Sequence, residues 1–160
     1  MNPIKYPYLP EGREILYVPS TNPFMAQAAA YAIEHSLDKA FKTASVVVKD
    51  DMVIGIAANG SDYHLTHECE RVKRGLPTGE GYELCEGCHP KNHSEPKAIK
   101  AAQDAGHDTN GADVYLWGHW WTCEGCWKAI IDSGIRNLYL MEGSERFFDK
   151  NAPEYVHGNY

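Results

Sequence analysis

Apolar positions recur along this chain with two different periods, and the switches between them mark the elements. Ala44-Ser45-Val46-Val47-Val48 and Met52-Val53-Ile54-Gly55-Ile56-Ala57 are β-branched runs separated by Lys49-Asp50-Asp51, which predicts a hairpin. Asn59-Gly60-Ser61 ends its second strand. Upstream, Asn22-Pro23 opens a helical pattern running from Phe24 through Ala40, with the alanines, Ile33 and Leu37 on one face. Glu95 to Ala102 predicts a helix with Pro96 in its first turn, where a missing N–H has no intrahelical partner, and Gly106 stops it. Asp113–Trp117 reads as a strand, and Cys123–Ser133 as a helix capped by Thr122 and stopped by Gly134. Asn137–Met141 is a further strand, so strand, short helix and strand imply a right-handed parallel crossover.

Three stretches lack a sustained period. Residues 1–20 hold four of the nine prolines, and the reading over 1–21 is an irregular lead-in. From about 62 to 92 there are four glycines, three cysteines and several histidines, an insertion long enough to require a function or a tie. The tail over 143–160 is aromatic (Phe147, Phe148, Tyr155, Tyr160) and is expected to form a short helix folding back over the body. Together the elements describe one domain over residues 1–160, a length sufficient for a real core.

Composition narrows the function classes. A formal charge of −7 argues against a sequence-independent grip on a nucleic-acid backbone, while leaving room for a small anionic substrate. No uninterrupted apolar run is long enough to span a bilayer, and Met1-Asn2-Pro3-Ile4-Lys5-Tyr6-Pro7 lacks the apolar core of a secretory signal. The expectation is a cytoplasmic protein with no membrane partner.

The chemistry sits in His93-Ser94-Glu95 and Cys123-Glu124-Gly125-Cys126. A histidine and two cysteines supply three zinc ligands and leave the open fourth position that separates a catalytic zinc from a structural one. Such an ion lowers the pKa of water toward neutrality. Cys123 and Cys126, three apart at a helix start, share a face in the turn where the helix dipole favours thiolate. Glu95 lies too near His93 in sequence for both to ligate one tetrahedral ion comfortably. It is placed instead to carry protons, and this spacing is the pattern of hydrolytic ring deamination. Two blander readings compete. Cys85-x-x-Cys88 and Cys123-x-x-Cys126 can form one structural Cys₄ zinc ribbon, making the protein a non-enzymatic binding module, or the pairs can be redox-active.

These residues resemble the cytidine/deoxycytidylate deaminase superfamily, and the insertion ahead of His93 resembles its deoxycytidylate branch. The similarity is carried by Asn59-Gly60 at a strand end, by His93-Ser94-Glu95 with Ala98-Ile99, and by Cys123-x-x-Cys126 with Ile130 and Ser133-Gly134-Ile135. It covers roughly residues 24–141. The resemblance implies an α/β fold of three layers, α/β/α, around a central mixed sheet of about five strands. It also implies that Asn59 touches sugar or base, that backbone N–H groups of Ser94 and Glu95 position the ring, and that the protein is a homo-oligomer. Ser94 and Thr122 stand where the family usually has alanine and proline, and a hydroxyl at Ser94 can donate a hydrogen bond into the pocket.

The remaining cysteines, Cys69, Cys85 and Cys88, suggest a second, structural zinc completed by His64, His67 or His89, with His67 favoured for its nearness to Cys69. His119-Trp120-Trp121 lies where it can line the pocket. Adjacent tryptophans point in different directions, so at most one stacks on a base, and Trp120 with His119 is the choice here. Arg71 and Arg74, near Lys73 and Lys91, are the donors a phosphate would need. The reading is a zinc-dependent deaminase converting dCMP to dUMP with release of ammonia. The alternatives are another aminated ring (cytidine, a purine base, adenosine in RNA) and the zinc ribbon.

Overall fold

The hairpin of β2 (Ala44–Lys49) and β3 (Met52–Ala58) forms one edge of a five-stranded mixed sheet. The computed structural model describes residues 4–38, 41–77 and 80–157, apart from the side chain of His64. With β1 (Ile15–Val18), β4 (Asp113–Trp117) and β5 (Asn137–Met141), the strand order is β1-β5-β4-β2-β3. β1 and β4 both run parallel to β5, whereas β2 is antiparallel to β3 and β4.

Side chains alternate across a strand, so the sheet sorts its residues into two cores. Val47, Val114, Leu116, Leu138 and Leu140 pack with Ala98 and Ile99 of α4 (Ser94–Asp104) and with Trp127 and Ile130 of α5 (Glu124–Asp132). Val46, Val48, Tyr115 and Trp117 meet Met25, Ala28 and Ala32 of α1 (Pro23–His35) on the other face. The result is the three-layer α/β/α arrangement, with α4 and α5 on one side and α1 on the other.

Four strands follow the sequence pattern, and the fifth corrects it. Ile15–Val18, taken as irregular lead-in, is an edge strand in register with Leu138–Met141. Four residues are too short for a legible period, and the pairing partner lies over a hundred residues away. α1 also departs from expectation. Asn22 caps it as read, its Oδ1 accepting from the backbone N–H groups of Phe24 (3.0 Å) and Met25 (3.1 Å). The helix stops at His35, however, and Ser36 turns extended. Ile33 and Leu37 are 49% and 45% exposed, because Met25 and the small residues Ala28 and Ala32 already fill the contact with the sheet. The Lys39–Ala40 end of the expected helix lies outside the described residues, as does Tyr160 of the tail.

The insertion is not structureless. It holds α2 (Tyr63–Thr66), α3 (Glu70–Lys73) and two single 3₁₀ turns at Tyr82–Leu84 and Pro90–Asn92. α6 (Ser144–Phe147) follows β5, and Phe148 behind it is fully buried with its ring centroid 5.0 Å from that of Trp117.

α4 approaches β3 closely at Gly55, where a Cβ would lie 2.4 Å from the Ala98 carbonyl oxygen and 2.9 Å from Ala102 Cβ. Gly55→Ala is therefore expected to cost about 2 kcal/mol through overpacking. For a chain of this size that is a fall of about 6 °C in melting midpoint, measurable by calorimetry. An unchanged midpoint would show that α4 does not press on the sheet there.

Candidate active site

Two helix starts meet at the site. His93 is the N-cap of α4 and Cys123 the N-cap of α5, so Thr122 is not the cap that the pattern predicted. Its hydroxyl is buried and lacks a hydrogen-bond partner among the described residues. His93 Nδ1 lies 3.3 Å from Cys126 Sγ and 3.6 Å from Cys123 Sγ, and the two sulfurs are 3.4 Å apart. The three ligand atoms thus fall within 4.8 Å of one another, close enough to share one metal ion. One imidazole nitrogen and two sulfurs form a soft donor set suited to zinc. His93 Nε2 is 3.1 Å from the carbonyl oxygen of Cys88. Donating there leaves Nδ1 as the free ligand nitrogen, the orientation metal-binding histidines usually receive from a second hydrogen bond.

The electrostatics suit a cation. Cys123 is pulled down to about 4, first by its hydrogen bond with the Cys126 thiol and then by His93. Cys126 is pushed well above the usual thiol range, by burial first and then by Cys123. Together the two share a proton that a bound ion would displace. Burial alone would lower His93, yet the hydrogen bond and charge of Cys123, with Glu95, raise it overall. Burial also raises Glu95, against the opposing pull of His93.

His93, Glu95 and Cys123 open onto one cavity, with Cys126 fully buried behind them. Asn59 and His119 line this cavity too. Asn59 is tied into the structure: its Oδ1 accepts from Ser36 Oγ (2.5 Å) and from the Thr43 backbone N–H (3.0 Å), while Nδ2 donates to the Phe41 carbonyl (2.8 Å). His119 Nδ1 accepts from the backbone N–H groups of Trp120 (3.0 Å) and Trp121 (3.2 Å), which puts the ring proton on Nε2. Burial, with His93 and His157 nearby, lowers it to about 3 and keeps it neutral.

Other candidates sit elsewhere. Trp121 lines the cavity, whereas Trp120 lines only an adjoining depression beside Pro77 and Lys150, which Trp121 also borders. Ser94 is fully buried and directs its hydroxyl to Glu95 and the sheet, not into the cavity. Arg71 reaches the cavity wall, but its guanidinium donates to the carbonyls of Glu80 and Pro77 (both 2.8 Å) and stacks on Tyr82. Arg74 lies on the surface 3.9 Å from Glu70. Cys69, Cys85 and Cys88 form a second group of ligand atoms within 4.8 Å, separate from the first, so the two Cys-x-x-Cys pairs do not build one ribbon. His67 is not brought to that group. It stacks on Tyr63 with centroids 4.3 Å apart, and its Nδ1 is 2.9 Å from Thr66 Oγ1. The side chain of His64 lies outside the described residues.

Sequence reading missed Phe41 and Tyr82, which both line the cavity. Tyr82 sets its edge against the His93 ring at 4.8 Å and 89°. No local pattern marks either residue, although an aromatic close ahead of Cys85 in the cysteine-bearing insertion is a usable hint for Tyr82.

Comparison with known proteins agrees with this arrangement. The curated ComE operon protein 2 of Bacillus subtilis (strain 168) is 28% identical over 120 residues, covering 74% of this chain. The chain spans 57% of that protein's length. Among solved structures, the dCMP deaminase of cyanophage S-TIM5, in complex with dCMP and dUMP, superposes with a TM-score of 0.53 at 19% identity. The overlap takes in 74% of this chain and 79% of that one. The apo form of the phage enzyme gives 0.50 at 18% identity, over 74% of this chain and 80% of that one. These likenesses show the cytidine-deaminase-like fold. The sequence model of the MafB19-like deaminases matches residues 20–152, most of the chain, and the protein belongs to the MafB19-like deaminase family within the cytidine/deoxycytidylate deaminase superfamily.

Proposed function

We propose that the protein is a zinc-dependent hydrolytic deaminase of a cytosine-type nucleotide, with dCMP as substrate and dUMP and ammonia as products. The observation that carries this reading is the buried Glu95 carboxyl opening onto the same cavity as the His93, Cys123 and Cys126 donor set. Zinc bound by those three residues would supply Lewis-acid activation of water. Glu95 takes one proton from the attacking water and passes it to the ring nitrogen next to the aminated carbon. It then takes the second proton from the added hydroxyl and gives it to the amine, which leaves as ammonia while a carbonyl forms on the ring. Low exposure of Glu95 favours this shuttle, since burial raises its proton affinity. His119, fixed as the Nε2–H tautomer, offers the substrate a neutral donor. Cys69, Cys85 and Cys88 would hold a second, structural zinc.

A second reading has its own support. The guanidinium of Arg71 is engaged by two carbonyls of the insertion, which favours a substrate without a phosphate, such as a nucleoside or free base. A panel of aminated bases, nucleosides and nucleotides, scored by ammonia release, separates the two. Turnover of dCMP well above deoxycytidine supports the first, the reverse order supports the second, and no turnover of any aminated ring overturns both.

The wall residues give a further check. Trp121→Ala is expected to raise KM about tenfold by removing a stacking surface. Trp120→Ala should leave KM within about twofold, since Trp120 is not among the residues that line the cavity. Equal effects in steady-state kinetics would show that the ring does not sit against Trp121.

A further inference from the structure

We infer that Ser94 is a positioning residue for Glu95, backed by Ser45 and Thr43 in a buried chain of hydroxyls. The inference rests on the proton-carrying role of Glu95 proposed above. Ser94 Oγ lies 3.0 Å from Glu95 Oε1, 2.8 Å from Ser45 Oγ and 3.4 Å from Thr43 Oγ1. Ser45 and Ser94 are fully buried, and Thr43 is 6% exposed.

Each of these hydroxyls is out of place by ordinary packing rules. Ser45 sits on the interior strand β2 in the run Ala44-Ser45-Val46-Val47-Val48, paired with Ala57 on one side and Leu116 on the other. An alanine there would bury without polar cost, whereas a hydroxyl must find a partner. Ser94 is the first residue of α4, where a serine would commonly face solvent or cap the turn. Here it turns toward the sheet.

The chemistry of Glu95 sets the direction of the chain. An ionised carboxylate only accepts, so the single proton of Ser94 goes to Oε1. Ser45 must then donate to Ser94 at the 2.8 Å contact, and Thr43 donates to the same oxygen from further away. Two incoming donors fill the lone pairs of Ser94 Oγ and leave its proton one destination. Hydrogen bonds arranged head to tail polarise one another, so the incoming donors strengthen the bond from Ser94 to Oε1. Oε1 is thereby held by Ser94, which leaves the other carboxylate oxygen to carry the travelling proton. Thr43 also lines the cavity, and its backbone N–H is held by Asn59, so the chain links the carboxylate to the pocket wall.

The test compares wild type with Ser94→Ala, Ser45→Ala and S45A/S94A, reading kcat, KM and melting midpoint on the best aminated substrate. Ser94→Ala is expected to lower kcat about tenfold with KM within twofold, as removal of one hydrogen bond to a charged group predicts. Ser45→Ala should lower kcat by about threefold, and S45A/S94A should be no slower than Ser94→Ala alone, because both changes act through one bond. A melting midpoint that falls while kcat holds, or losses that multiply in S45A/S94A, would overturn the inference. A crystal structure of Ser94→Ala decides independently of turnover. Glu95 spread over more than one rotamer supports positioning even if no aminated ring is hydrolysed, and Glu95 unmoved in a single rotamer refutes it.

Discussion

Glu95→Gln is expected to keep the metal content of the protein and to remove roughly a thousandfold of its turnover. The side chains are nearly isosteric, and the amide oxygen can still accept the Ser94 hydroxyl that holds Oε1 at 3.0 Å. Packing at this buried position is therefore preserved. What the amide cannot do is accept and return a proton, and the proposed reaction needs two such transfers. Metal analysis and ammonia release, measured on one preparation, separate the outcomes. Full metal with turnover near wild type would end the deaminase reading, because nothing else would then be asked of Glu95. Loss of metal together with turnover would make Glu95 a ligand and not a proton carrier.

Metal stoichiometry is the second large effect. The purified protein is expected to carry two zinc ions per chain, one for each group of ligand atoms. Cys126→Ser should remove one ion and bring turnover below detection, since a serine in that buried position replaces a thiolate with a poor zinc ligand. Cys85→Ser should remove the other ion and slow turnover about tenfold, the size expected when a partner behind a ligand is lost. The route runs through Cys88. Its sulfur lies 3.5 Å from Cys69, and its carbonyl takes the Nε2–H of His93 at 3.1 Å. Loosening the three-cysteine group therefore loosens a ligand of the other site. Burial pushes the Cys88 thiol up to about 12, so an ion bound there must displace its proton. One zinc in wild type, lost in both variants, would instead mean a single site and would remove the structural role.

Legibility in the sequence followed the range of the interactions. The hairpin, β4 and β5 stand out because a four- to seven-residue apolar run reports burial locally. β1 does not, since its reason for being a strand is Leu138–Met141 and not its own composition. Ile33 and Leu37 looked like core from their spacing, but the face α1 buries was decided by how closely it sits on the sheet, and only Met25 and alanines fit there. The same divide runs through the site. The His93, Glu95 and Cys-x-x-Cys spacings were readable because each pair lies on one helix start. The choice between Trp120 and Trp121 was not, because neighbouring side chains on a loop differ only in where the chain turns.

By itself the sequence determined the donor chemistry, the two helix starts that present it, the mixed α/β class and the family resemblance. All of these depend on residue type and short spacing. Tertiary structure alone decided that the cysteine pairs belong to separate groups, that Arg71 is engaged by the insertion, and that the Ser94 hydroxyl faces Ser45 and Glu95. Those outcomes depend on how the insertion, the two helix starts and the sheet pack on one another, and hydrogen-bond partners buried between a helix and a sheet exist only once both are in place.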